Sequence, residues 1–155
     1  MSKAYGLAGL RIGWIATQNK AIYDKMIGFK HYTSICSSST REFLATVALK
    51  HGDKILGRNM KIIENNLKVA NNFFEKYPDL FVNNQPQAGP IAFHKVNIDE
   101  PIEDFCEDLV TRKGVLLLPA NIYAFKDNYI RMEYGRKDFE TSLKKFGEYL
   151  IEKGF

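Results

Sequence analysis

The sequence predicts an α/β protein built in three stretches, and three observations carry that expectation. "LRIGWIAT" (Leu10–Thr17) alternates side chains in the manner of a strand. Leu56, Met60, Ile63, Leu67, Ala70 and Phe74 recur at steps of four and three, the apolar stripe of one long helix. Beyond Pro78 short strand-like and helix-like segments alternate, as in a small α+β unit.

Taken in order, the opening loop leads into the Leu10–Thr17 strand, with Leu10, Ile12, Trp14 and Ala16 on one face. A helix is expected from about Lys20 to His31 on Ile22, Tyr23, Met26 and Ile27. "SICSSST" (Ser34–Thr40) is a hydroxyl-rich loop, and Ser39 with Glu42 has capping-box spacing for a helix packing Phe43, Leu44, Val47 and Ala48. Gly52 is expected to close that helix and Asp53 to cap the long one, which Pro78 stops after about Tyr77. "GPIAFHKVN" (Gly89–Asn97) follows as a strand. Pro101 to Gly114 is a helix with Ile102, Phe105, Cys106, Leu109 and Val110 inward. "VLLLP" (Val115–Pro119) and "YIRMEY" (Tyr129–Tyr134) are strands, and Asp138 caps a last helix that buries Phe139, Leu143, Phe146 and Leu150. One strand and two helices at the start cannot close a core alone, so that part is expected to be the edge of a larger sheet.

Composition narrows the function classes. The 155 residues are 45% hydrophobic and 26% charged, which suits a globular fold. Basic and acidic groups number 22 and 18 without blocks of one sign, so a solvated surface, not a nucleic-acid face, is expected. No run is apolar enough to span a bilayer. Cys36 and Cys106 stand isolated, which suits a reducing, cytoplasmic setting. His31, His51 and His94 lack metal-ligand spacing, so no metal is expected.

Chemistry concentrates in the first fourteen residues, "MSKAYGLAGLRIGW". Lys3 carries an amine that forms an imine with a carbonyl once neutral. Gly6 and Gly9 allow tight turns and close approach of backbone to a ligand. Arg11, eight residues beyond the lysine, offers a planar fork suited to a phosphate, and Ser2 adds a hydroxyl. A lysine near a chain start is ordinarily a solvated tail; the flanking pattern argues otherwise here. One small molecule bearing both a carbonyl and a phosphate, pyridoxal 5'-phosphate, would satisfy all three groups.

"SKAYGLAGLRIGW" resembles the cofactor-lysine signature of the class I/II aminotransferases, the fold-type I pyridoxal-phosphate enzymes, at Ser2, Lys3, Gly6, Leu7, Gly9, Leu10, Arg11, Gly13 and Trp14. "SSSTREFLATVAL", "QAGPIAF" and "NYIRMEYGR" extend the likeness over the chain, all to the family's later portion. The resemblance implies a C-terminal part of that fold: residues 1–52 from the edge of the large domain, 53–78 an interdomain helix, and 79–155 the small α+β domain. It implies that Lys3 binds the cofactor and moves protons, that Arg11 holds its phosphate with help from Ser2, and that Arg131 grips the substrate α-carboxylate. Amino acids and 2-oxo acids are the implied substrates, and the parent protein is implied to be a homodimer. Arg136, beyond the strand, reads as structural, and Tyr123 as either a pocket border or packing.

The family's acidic partner for the pyridine nitrogen, its ring-stacking aromatic and most of its parallel sheet find no counterpart here, so the isolated chain is expected to be inactive. Ala120 and Ala124 occupy a loop where the family commonly has glycine, which bears on side-chain specificity. Alternatives within the same fold are a C–S lyase, a decarboxylase or a racemase. Outside it stands a non-catalytic remnant or dimerisation module.

Overall fold

A computed structural model describes residues 1–155, which fall into two units, Met1–Asn59 and Met60–Phe155.

In the first unit a tight turn around Lys3 leads into a single 3-10 turn, Ala8–Leu10. Helices α1 (Lys20–Thr33) and α2 (Ser39–Lys50) follow, and the first residues of α3 (Gly52–Phe74) complete the unit. Asn19 caps α1, its Oδ1 accepting from the Ile22 amide at 3.1 Å. The strand expected at Leu10–Thr17 is not formed. Arg11 lies in the left-handed region, which breaks the extended run at its start, and no neighbouring strand supplies a ladder for the rest. The Ser39–Glu42 capping box is also absent. Ser38 takes the extended cap position, Ser39 is already helical, and no side chain bonds the first turn. Gly52 opens α3 rather than closing α2, which ends at Lys50.

The second unit is a two-layer α/β arrangement. Its sheet runs β1 (Phe81–Val82), β2 (Ile91–Val96), β4 (Tyr129–Glu133) and β3 (Leu118–Pro119) in spatial order, with every neighbouring pair antiparallel. The short β1 went unread in the sequence, and "VLLLP" forms a ladder only at its last two residues. Side chains alternate as a half-covered sheet requires: Ala92, His94 and Val96 of β2 and Ile130 and Met132 of β4 are buried. They meet Ala70, Phe73 and Phe74 of α3, Phe105 and Leu109 of α4 (Ile102–Lys113), and Phe146 and Leu150 of α5 (Phe139–Lys153) in one core. Gly114 ends α4 in the left-handed conformation, its N–H reaching the Val110 carbonyl, as expected of a glycine at that place. Helix α3 stops at Phe74, three residues short of Tyr77, and a tighter turn carries the chain to Pro78. Asp138 occupies the cap position of α5 with its carbonyl accepting from the Ser142 amide at 3.1 Å, but its side chain does not cap the helix, because Arg136 Nε holds the carboxylate at 3.0 Å.

The other sheet face, with Phe93, Tyr129 and Arg131, is free of helices of this unit's core and only half-buried. The two units thus each present one set of candidate groups.

Candidate functional site

In the first unit Lys3 sits in a turn whose closing bond runs from the Gly6 amide to the Lys3 carbonyl at 3.1 Å. The Leu7 amide reaches back to the Met1 carbonyl at 3.3 Å. Gly6 has φ +65°, a left-handed backbone that side chains other than glycine's adopt at a cost, so the turn depends on it. Two further contacts tether the loop. Asn59 Nδ2 donates to the Ala4 carbonyl at 2.8 Å, and a Cβ on Gly52 would lie 3.1 Å from Tyr5 Oη. Neither was legible beforehand, since an asparagine within a helix and a glycine at a helix start have ordinary local explanations.

Lys3 is exposed and forms no ion pair, so its amine is uncommitted within the protein. Arg11 lies at φ 49° and ψ 42°, and its Nη1 reaches only the Ala8 carbonyl, at a long 3.4 Å. Its guanidinium has no carboxylate partner either. Ser2 is half-buried beside Lys3. A Cβ added at Gly9 would meet nothing within 4 Å, which leaves open space along this loop. An uncommitted amine, an uncommitted guanidinium and a hydroxyl along one glycine-turned loop form a donor set that fits an aldehyde-bearing phosphate ester.

In the second unit Arg131 lies on the outer sheet face, in register with Phe93 of β2 and Leu118 of β3. Its Nη1 donates to Tyr123 Oη at 3.0 Å, and it pairs with neither Glu133 nor Asp127. It borders a groove of about 390 Å³ shared with Arg136, Glu133, Leu118 and Met132. The two arginines differ in commitment. Arg136 grips Asp138 through Nε at 3.0 Å and Nη2 at 3.4 Å, which suits the structural role read for it. The same bond holds the Asp138 carboxyl below its usual range. Arg131 keeps its remaining donors free for an anion.

No group of acids, cysteines and histidines in the structure could hold a metal ion. No helix is long and apolar enough to cross a membrane.

Residues 1–141 match the family model described as aminotransferase class I and II. Capreomycidine synthase of Streptomyces vinaceus is 27% identical over 154 residues, covering 97% of this chain and 39% of the relative. Histidinol-phosphate aminotransferase 2 of Haemophilus influenzae (strain Rd) is 32% identical over 151 residues, covering 94% of this chain and 38% of the relative. Among solved structures, a PLP-dependent aminotransferase from Streptococcus suis superposes with a TM-score of 0.88 at 35% identity, over 97% of this chain and 40% of that one. The chain therefore spans about two fifths of the length of the proteins it matches, with the fold of a fold-type I pyridoxal-phosphate enzyme in part. Pyridoxal 5'-phosphate is the cofactor of that family. With the match running over residues 1–141, the chain belongs to the class I and II aminotransferases.

Proposed function

We propose that the protein carrying this chain transfers an amino group between an L-amino acid and a 2-oxo acid, with Lys3 as the proton-moving base. The observation that carries the assignment is the opening loop: Lys3 in a turn set by Gly6, with Arg11 uncommitted eight residues on. When bound, pyridoxal 5'-phosphate supplies an aldehyde that condenses with amines and a ring that withdraws electrons from the substrate Cα. Lys3 would hold it covalently through Nζ, Arg11 would bind its phosphate through the guanidinium fork, and Ser2 would add a hydroxyl hydrogen bond. Lys3 Nζ, as a neutral amine, would accept the proton of the substrate Cα and redeliver it, the role general-base catalysis requires. Arg131 would clamp the α-carboxylate with its free donors, which orients the Cα–H bond and disfavours amines lacking the acid.

The same proposal assigns residues 1–52 to the edge of the large domain, 53–78 to a connecting helix and 79–155 to the small domain. It places a homodimer in the cytoplasm, the latter on the strength of two free cysteines. These 155 residues by themselves are proposed not to turn over. The support is the exposed apolar set of the first unit, including Trp14 at 62%, Ile15 at 75% and Phe43 at 67% exposure.

The test is reduction with borohydride after incubation with pyridoxal phosphate, followed by peptide mass mapping. Label concentrated on Lys3 is the expected result. Label spread over the many surface lysines, or none, would sink the proposal. A second outcome of the same fold has a specific observation behind it: one relative is a synthase, named for a product and not for amino transfer. Product analysis of the full-length protein with an amino acid separates the two. A new amino acid formed from an added 2-oxo acid supports transfer; loss or rearrangement of the donor without an acceptor supports the other.

A further inference from the structure

Tyr123 closes the 3-10 turn Ala120–Tyr123, and its hydroxyl accepts from Arg131 Nη1 at 3.0 Å. A phenol oxygen that accepts from a guanidinium keeps its own proton to give. That proton has no acceptor in the protein, for the Arg131 contact is the hydroxyl's single hydrogen bond. The ring is 47% exposed, yet it is fixed in place. It packs edge-on to Phe93 at 5.9 Å, and Phe93 in turn stacks on Tyr129 at 5.4 Å and 16°. Phe125 completes the cluster, perpendicular to Tyr129 at 5.1 Å. Arg131 has five N–H donors and directs one of them at Tyr123. A fixed hydroxyl therefore stands beside a guanidinium with unspent donors, and a carboxylate is the group whose lone pairs match both.

We propose that Tyr123 is a carboxylate-binding residue alongside Arg131: it holds the guanidinium in place and donates its own proton to the carboxylate that Arg131 grips. The inference rests on the assignment of Arg131 as the carboxylate clamp and goes beyond it. A ring needed only for packing would serve as well without its oxygen. The ligand class is the monocarboxylate end of an amino acid or 2-oxo acid, and a neutral amide, which places a donor where an acceptor is wanted, should be rejected.

The test titrates the nitrogen-15-labelled 155-residue chain with acetate at constant ionic strength, following the Arg131 Nε–H resonance, with chloride and acetamide as controls. Tyr123→Phe keeps the ring and its neighbours, so folding is preserved. The expected result is a saturable acetate shift at Arg131, absent with either control and about tenfold weaker in Tyr123→Phe, the size of one hydrogen bond to a charged group. Before any acetate is added, rotation of the Arg131 guanidinium should be faster in the variant. Equal acetate affinity in variant and wild type overturns the role of Tyr123 while leaving Arg131 standing. No response at Arg131 in the wild type, or the same response in Arg131→Lys, removes the clamp and this inference with it.

Discussion

Arg11 adopts φ 49°, a left-handed backbone that costs a side chain other than glycine's roughly 1 kcal/mol. Strain of this kind persists where the surroundings enforce it, and it gathers at ligand sites. Glycine would fit the backbone at Arg11 without strain, so an arginine there points to the side chain as the reason. Arg11→Gly should leave the Arg11 amide bonded to the Ala8 carbonyl, as hydrogen exchange would record, while abolishing the preference of Lys3 for pyridoxal phosphate over phosphate-free pyridoxal. Unchanged preference in that labelling competition would remove Arg11 from the phosphate site. At the core of the second unit, His94 is fully buried between two partners. Nδ1 accepts from the Asn84 amide at 3.2 Å, and Nε2 lies 2.6 Å from Tyr134 Oη. The amide bond to Nδ1 places the imidazole proton on Nε2. Burial lowers the His94 pKa from 6.5 to about 4. The folded state thus holds its proton less readily than the unfolded chain. Stability is whole above pH 6.5, falls as the pH drops toward 4, and loses on the order of 3 kcal/mol across that window. Urea melts between those limits should show the slope, and His94→Gln should flatten it.

Helix α3 and strand β4 are coupled by one side chain. Asn66, 5% exposed, donates from Nδ2 to the Tyr134 carbonyl at 2.8 Å and to the Arg136 carbonyl at 2.7 Å. It satisfies the backbone as the chain leaves β4 and turns toward α5, just beyond Arg131. Asn66→Ala should cost about 2 kcal/mol, because the buried Tyr134 carbonyl and the part-buried Arg136 carbonyl both lose their donor. Asn66→Asp, which sets a carboxylate against them, should cost more, and a urea midpoint equal to wild type for either would refute the coupling. Elements of this unit were largely legible in the sequence, since the alternation of Ile91–Val96 and Tyr129–Glu133 and the stripe of α3 state which face is buried. Gly114 and Pro101 marked the ends of α4 correctly for the same local reason. What was not legible depends on partners. Leu10–Thr17 has a strand's alternation but no ladder to join in this chain. Asp138 has a capping residue's chemistry, spent instead on Arg136. Of the candidate site, the residue types were readable as a set, because spacing along one loop is a sequence property. The tether from Asn59 to Ala4 and the bond from Tyr123 to Arg131 were not, because they are made across turns that no periodicity encodes.

At the scale of the whole chain, the two units differ in how much apolar surface they bury. The core joins Phe73, Phe74, Phe105, Leu109, Phe146 and Leu150 with the inner sheet face, all within Met60–Phe155. Within Met1–Asn59 the buried apolar residues are Ala45 and Ala48 alone. Phe29 is 69% exposed, Tyr32 90% and Ile35 72%, and α1 has no fully buried residue, its Met26 and Ile27 being only half-buried. Helices of 14 and 12 residues are marginal in water without tertiary packing. Local opening should therefore be cheap in the first unit and expensive in the second. Native-state hydrogen exchange on the 155-residue chain should show α1 and α2 amides exchanging at least a hundredfold faster than those of β2, β4 and α5, with limited proteolysis cutting first between residues 1 and 50. Equal protection across both units would mean that the exposed apolar residues are covered in solution, as by a second copy. Sedimentation at rising concentration would then show association, and the two outcomes separate a loosely held first unit from one stabilised by its partners.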